Sequence, residues 1–537
     1  MFVVRLFTSL LFAYISCAFS TQDVLSIARN DQSSTAAENC EKACQELSSN
    51  FGPALHFGDN DPTFVIWDKK QQDAQPACRV TPVTAAEVAQ ALTIVSSHWC
   101  RFAVKGGGHS TNVDASNSVG GVTIDLGDMD HIDLAPDGRS WADLGPGLVL
   151  SDAYTYLEQY NLTNIGGRVA DVGLPGYLIG GGISNLSPQY GLAVDNIYEY
   201  EVYTTPNINL NATAFFFLPP TPFPLIRMIV DIFQLVLPNA TIINVTQSSQ
   251  PDLYFALRGG GNNFGIITNF RVRLIPQGPM LSGTKVYHAN YTRQIVDQTY
   301  QLTTTLSNDT LMCFSSRYAY NQTLDEFSVS MTQAYAQPIL EPPVFATLNE
   351  VPYESSTVRV DWMSNFALES VQPPGTRQLF GTVTFDPSGD LHQQILDVFE
   401  DEVSQVKDIP GFTSSVVVSA LHINAIKAME ARGGNALGVE SDGPLDIALL
   451  TVGWSNATDD AAMNAFADTW ITRSMQAASD VDRLHPWLYI NYAKDTQDPF
   501  SGYGKVNKAR LISIQEAIDP KGIFTSTGLC RGSFKLR

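Results

Sequence analysis

Three glycine clusters fall between residues 106 and 265, and they constrain the fold more than any other feature of the chain. They are Gly106-Gly107-Gly108-His109-Ser110, then Gly173-Leu174-Pro175-Gly176 followed by Gly180-Gly181-Gly182-Ile183-Ser184, and finally Arg258-Gly259-Gly260-Gly261-Asn262-Asn263-Phe264-Gly265. A backbone free of Cβ atoms approaches an anion closely and takes positive φ without strain. One such cluster alone reads as a tight turn in a β-rich fold. Several in one domain point to a large phosphate-bearing cofactor. None is a Rossmann fingerprint, since no G-x-G-x-x-G opens a helix with an acidic residue about twenty positions on, and there is no P-loop.

The surroundings of the clusters alternate between short strands, turns and helices as far as Arg273. Val88, Ala91, Leu92 and Val95 recur at helical spacing and predict an amphipathic helix over Thr84–Ser97. Phe102–Val104, Gly121–Leu126 and Trp141–Leu144 read as strands, and Ser151–Tyr160 as a helix. Residues 274–484 differ. They carry long alternating strands at Thr310–Tyr320 and Glu326–Ala336, helices near 391–406 and 459–477, and no glycine loops, which marks a second domain. The C-terminal 485–537 holds Trp487-Leu488-Tyr489-Ile490-Asn491-Tyr492 and a helix around 505–517. Residues 21–56 form a polar arm with one short helix near Ala37–Leu47.

Residues 1–20 read as a signal peptide: Arg5 precedes a mostly apolar run, Leu6–Phe19, that is shorter than the ~20 residues a spanning helix needs. A secreted, extracellular protein is expected, and nine Asn-x-Ser/Thr sequons are compatible with a glycoprotein. Losing Cys17 with the signal leaves Cys40, Cys44, Cys78, Cys100, Cys313 and Cys530. Their spacing fits no tetrahedral zinc site, so no metal is expected and disulfides are the better reading in an oxidising compartment. Four lie before residue 101, which predicts two bridges stapling the N-terminal segment to the first domain. A formal net charge of −22 repels phosphate backbones, so nucleic acid is not an expected partner. Nor is a membrane; a monomer acting on a small molecule is expected.

His109 directly follows a glycine triplet. It could satisfy the loop by hydrogen bonds. It could also be a nucleophile, because a neutral imidazole nitrogen attacks an electron-poor benzylic carbon such as the 8α-methyl of an oxidised flavin. In their order along the chain, the motifs resemble the FAD-linked oxidases of the vanillyl-alcohol oxidase and p-cresol methylhydroxylase type, closest to the fungal berberine bridge enzyme-like branch. The likeness runs from Pro82 through Val104–Ser110, Gly145-Pro146-Gly147, Gly166-Gly167-Arg168, Val172–Asn196 and Leu253–Phe270 to Tyr489–Phe524.

That resemblance implies an α+β fold. A bipartite PCMH-type FAD domain would span 57–273 and 485–537, and a substrate domain of antiparallel sheet covered by helices would fill 274–484. It implies FAD bonded through His109 and held by Lys105, Gly106, Gly107, Gly108, Ser110, Gly145, Gly147, Val172, Gly173, Gly176, Gly180, Gly181, Gly182, Ser184, Asn196, Ile197 and Asn491. Many relatives add a cysteinyl bond, but the matching position here is Val169, with no cysteine within sixty residues on either side, so a single histidyl linkage is expected. Val172 matches a position where valine accompanies reaction with dioxygen. The Tyr-x-Asn-Tyr segment of the family folds over the flavin, which makes Tyr492 the first choice for catalytic base and Tyr489 the second. A phenol, with an ordinary pKa near 10, serves as a base only beside positive charge or hydrogen-bond donors. The expected reaction oxidises an alcohol, carbohydrate or secondary metabolite by hydride transfer, with dioxygen giving hydrogen peroxide. The alternatives are a dehydrogenase using another acceptor and a non-catalytic secreted flavin-binding protein.

One stretch fits no periodicity. Within Val202–Gln234 lies Ala214-Phe215-Phe216-Phe217-Leu218-Pro219-Pro220-Thr221-Pro222-Phe223-Pro224, and a long structureless insert is out of place in a compact domain. It interrupts the family's Asp-Asn…Glu-x-Val-Leu run between Glu201 and Leu235. A valine codon opens with the bases of an intron start and Phe-Gln is compatible with an intron end, so a translated intron is the expectation, with a genuine surface excursion as the alternative.

Overall fold

The computed structural model describes residues 21–57, 64–197, 233–439 and 442–537. The signal peptide and all but the last two residues of the expected insert lie outside these. Instead of an arm with one short helix, the N-terminus is a 31-residue helix, Thr21–Phe51. Its sequence is polar but holds no glycine or proline before Gly52-Pro53, so nothing breaks it earlier. The bridges Cys40–Cys100 and Cys44–Cys78 fasten it to the first domain, as expected, while Cys313 and Cys530 are free and buried.

A first sheet contains β1 (Leu55–His56), β2 (Cys78–Val80), β3 (Phe102–Lys105) and β4 (Val122–Asp125) in the order β1-β2-β4-β3. Strands β2 and β3 both run parallel to β4, which requires a crossover, and the helix Ala85–Ser97 connects β2 to β3. Thr84 caps that helix by accepting from Glu87 N at 3.2 Å, and Val88, Ala91, Leu92 and Val95 are buried. A second, antiparallel sheet contains β5 (Ile132–Leu134), β6 (Trp141–Leu144), β7 (Phe233–Val236), β8 (Ile242–Val245) and β9 (Ile266–Arg273), in the order β5-β6-β9-β7-β8.

The third sheet has nine strands, all antiparallel. Its six long members are β10 (Met280–His288), β11 (Met312–Asn321), β12 (Glu326–Tyr335), β13 (Arg377–Phe385), β14 (Thr413–Leu421) and β15 (Leu445–Trp454), ordered β10-β12-β11-β14-β15-β13. Successive side chains leave opposite faces. Phe314, Val416 and Leu450 pack under the helices Thr292–Thr303, Gly389–Val406 and Asp460–Asp480. Cys313, Leu421 and Ile447 face the other way and join one core with Leu178, Ile183 and Tyr489 of the glycine-loop half. The sheet is therefore a floor between a helical layer and the glycine loops.

The insert meets the second sheet at β7. Ile197 bridges Val272, while Leu235 and Val236 pair with Ile267 and Ile266 of the same strand. Phe233 and Gln234 extend β7 opposite Phe270 and Asn269, and the register slips between Ile267 and Asn269.

Candidate flavin and substrate site

The glycines bring three distant segments into backbone contact. A Cβ on Gly107 would lie 2.4 Å from Gly173 Cα, and one on Gly173 would lie 2.4 Å from Gly107 N, so the loops touch main chain to main chain. A Cβ on Gly106 would strike Pro175, and one on Gly180 would sit 2.0 Å from Asn491 Oδ1. Asn491 Nδ2 donates to Tyr177 O at 3.2 Å, tying the C-terminal segment to the same loops. Gly182 (φ +80°) turns the backbone toward Tyr489, and Gly181 N bonds to Leu178 O. Beside His109, Gly108 takes φ +74°. Gly176 has open space where a side chain would be.

Other expected cofactor residues have protein partners. Lys105 Nζ donates to Asp125 Oδ1 at 3.0 Å, in a cluster shared with Arg79. Gly145 N and Gly147 N donate to His131 O and Met129 O, so this turn is closed by its own sheet. Ser110 Oγ accepts from Asn112 N, and Ser184 Oγ from Leu186 N. Asn196 Nδ2 donates to Tyr190 O and Leu192 O, leaving its buried Oδ1 without a partner. Ile197 O accepts from Tyr254 Oη, and Val172 O from Leu150 N.

His109 stands half-buried with its ring stacked on Trp67, centroids 4.0 Å apart and planes 11° from parallel. Its Nε2 lies 3.6 Å from Asp171 Oδ1; both atoms are shielded from water and neither has a hydrogen-bond partner. Trp67 is held by Nε1 donating to Gln372 O at 3.2 Å and by contact with Phe380. The short helix Lys69–Gln72 steadies the loop beside it: Gln71 donates to Ser110 O, and Lys70 to Thr111 O and Gln378 O. Lys70 pairs with buried Asp68 at 3.2 Å, and burial pushes the Asp68 carboxyl up and the Lys70 ammonium down. None of Trp67, Lys70 or Asp171 sits in a pattern that marks it in sequence.

Tyr492 and Tyr489 come together, rings edge to face at 4.7 Å, but their hydroxyls differ. Arg168 Nη2 donates to Tyr492 Oη at 2.7 Å, and Arg168 Nη1 to Ser419 Oγ at 3.1 Å. Contact with Tyr492 raises the Arg168 pKa further. Tyr489 Oη instead accepts from Gly182 N (3.2 Å), Ile183 N (3.1 Å) and Asn491 Nδ2 (3.1 Å). Tyr489 is fully buried, and burial pushes its pKa well up. Beside Arg168 is a small cavity of about 10 Å³, lined also by Ile183, Ser184, Cys313, Ser419 and His422. Both ring nitrogens of His422 are buried without partners, and burial lowers its pKa to about 4.

These residues fit FAD. The loops form a backbone cradle, an unpaired imidazole nitrogen lies at one end, and a cation-backed phenol lies at the domain interface, where ligand sites concentrate. The fold and site together define a flavoprotein oxidoreductase. The FAD binding domain family matches residues 76–207. The FAD-dependent monooxygenase tpcD of Cochliobolus heterostrophus is 31% identical over 517 residues, covering 91% of this chain and 93% of that protein. The berberine bridge enzyme of Eschscholzia californica superposes with a TM-score of 0.68 at 14% identity, covering 90% of this chain and 97% of that one. A glucooligosaccharide oxidase structure from Acremonium strictum, described as having 6-S-cysteinyl, 8α-N1-histidyl FAD, superposes with a TM-score of 0.67 at 16% identity over 93% and 98% of the two chains. The chain belongs to the FAD-linked oxidoreductases of the vanillyl-alcohol oxidase and p-cresol methylhydroxylase type, with the berberine bridge enzyme-like fold.

Proposed function

We propose that this FAD-dependent enzyme is a secreted oxidase with a single histidyl bond to its flavin, and that Tyr492 is its catalytic base. The observation that carries the reading is the 2.7 Å contact of the Arg168 guanidinium with Tyr492 Oη beside the interdomain cavity. When bound, FAD accepts the hydride of the substrate carbon and passes the electrons to dioxygen, giving hydrogen peroxide. Tyr492 takes the proton of the substrate hydroxyl, and Arg168 stabilises the negative charge on the phenol oxygen that makes this possible. Tyr489 serves the loop instead. Its oxygen gathers the N–H groups of Gly182 and Ile183 and orients Asn491, holding the backbone that supports the ring system.

Support for one covalent bond is local. His109 Nε2 lies 3.6 Å from Asp171 Oδ1 without a hydrogen-bond partner, and Trp67 stacks on the ring. Val169 cannot supply the second bond that the Acremonium enzyme's cysteine makes. The substrate is an alcohol, carbohydrate or secondary metabolite. Two measurements on secreted protein test the reading. Acid-precipitated protein should stay yellow, and a screen of sugars and aromatic alcohols should release peroxide in step with substrate. Bleaching of the flavin without dioxygen consumption would instead establish a dehydrogenase.

A further inference from the structure

We infer that the substrate carries an anionic group, a carboxylate or an acidic enol or phenol, and that Arg317 binds it. The inference rests on the proposed site and extends it along the sheet. Two guanidiniums hang from two serines on the same face of β14, four residues apart: Arg168 on Ser419 and Arg317, through Nε at 3.0 Å, on Ser415. At ~3.3 Å per residue the serines are roughly 13 Å apart along the strand. The charge of Arg168 is committed to Tyr492. That of Arg317 is not, for among the described residues no carboxylate lies within salt-bridge distance of it, and its one side-chain contact is to a neutral hydroxyl. Ser415 in turn shares a hydrogen bond with Thr451 at 2.8 Å.

Arg317 lies on the inner face of the sheet. It shares its strand face with Cys313, which lines the cavity beside Arg168. Its side chain is exposed to solvent. Arg317 donates to Ser415, and from Ser415 a row crosses the sheet through Thr451 to Phe380, which touches Trp67, and Trp67 stacks on His109. The cation thus belongs to the same inner face as the flavin-side residues. A guanidinium stays charged at any working pH, and its fork of donors matches a carboxylate or another oxyanion. A substrate whose reacting carbon lies at Tyr492 and whose acidic group reaches toward Arg317 supplies that anion.

The test uses flavin-loaded enzyme, with benzoate and benzyl alcohol as probes and the flavin absorbance spectrum as readout. Benzoate should perturb the wild-type spectrum. Arg317→Gln should weaken benzoate about tenfold at unchanged flavin content while benzyl alcohol binding stays the same, and Arg317→Lys should recover part of the loss. Equal benzoate affinity in wild type and Arg317→Gln, or no benzoate response in the wild type, overturns the inference. Protein purified without any flavin refutes the proposed function instead, so the two failures are distinguishable.

A second inference stands on strand register alone. We infer that Val202–Gln234 is absent from the functional protein. With those residues removed, Leu235 follows Ile197 by five positions, and their partners Ile267 and Val272 are also five positions apart. The shortened chain therefore spans the two observed pairings as one regular strand. The observed slip in β7 falls at the junction where Gln234 meets Leu235. A mature transcript should lack these codons, and protein made without them should fold and load flavin with a melting temperature at least equal to that of the full chain. A transcript that keeps the codons, or a shortened protein that does not fold, overturns it.

Discussion

The flavin half and the sheet half of the site are made from different parts of the polypeptide. On the flavin side the contacts are main chain on main chain, and each close approach, such as Gly107 on Gly173, demands the absence of a side chain. On the sheet side the backbone is regular and chemistry is delivered by side chains that alternate between two faces, with Ser415, Ser419 and Arg317 pointing one way and Val416, Val418 and Tyr318 the other. A site of this kind holds its cofactor by shape and its substrate by functional groups. The cradle tolerates little change, and the sheet can be altered one side chain at a time.

The sharpest way to break this division is at His109, the side chain proposed to bond the flavin. His109→Ala should abolish acid-stable flavin; protein that stays yellow after acid precipitation would end the covalent reading. Next in size is Tyr492→Phe, expected to lower turnover by roughly 10²–10⁴ with flavin content unchanged. Equal turnover would move the base elsewhere.

His422 tests the sheet half through stability. Its folded pKa is about 4 against an ordinary 6.5, so the unfolded chain binds a proton that the native protein refuses. Stability is unaffected above pH 6.5 and is lost as pH falls from there toward 4, by about 3 kcal/mol in all. Buried His392, lowered to about 3, acts in the same sense. Asp446, raised by burial from 3.8 to about 7, acts in the opposite sense and loses stability as pH rises between those values. The useful quantity is therefore a difference: His422→Phe should shrink the gap between unfolding free energies at pH 7 and pH 4 by about 3 kcal/mol, and an unchanged gap refutes its buried neutral state.

Tyr489→Phe should cost about 1–3 kcal/mol of stability, because it strands the N–H groups of Gly182 and Ile183, with much less effect on turnover than Tyr492→Phe. Equal kinetic losses for the two tyrosines would erase the distinction between them. The smallest effect is expected at Asp171, where Asn should slow the appearance of covalent flavin about tenfold, followed by intact mass on addition of FAD to flavin-free protein.

Much of the fold was legible because its signals are local. The helix over Ala85–Ser97 announces itself by spacing and by the Thr84 cap, and the strands β11 and β12 by alternation. The N-terminal helix is less legible, since a polar segment without a breaker gives little periodicity to detect. In the site, Tyr489 and Tyr492 open and close one four-residue motif, and no letter distinguishes a buried loop support from a phenol facing a guanidinium.

By itself, then, the sequence determined where the backbone must come close and which cysteines staple the N-terminus. These are properties of runs and of absences, and a linear reading captures them. Only the tertiary structure decided that Lys105 is engaged by Asp125, that Trp67 clamps His109, that Arg168 backs Tyr492, and that Arg317 bonds to Ser415 with no carboxylate beside it among the described residues. Each joins residues separated by twenty to more than three hundred positions, except for Arg317, whose meaning lies in what is missing around it. Such pairings exist only once the sheet and the loops have packed against each other, because electrostatic and stacking partners are chosen by proximity in space.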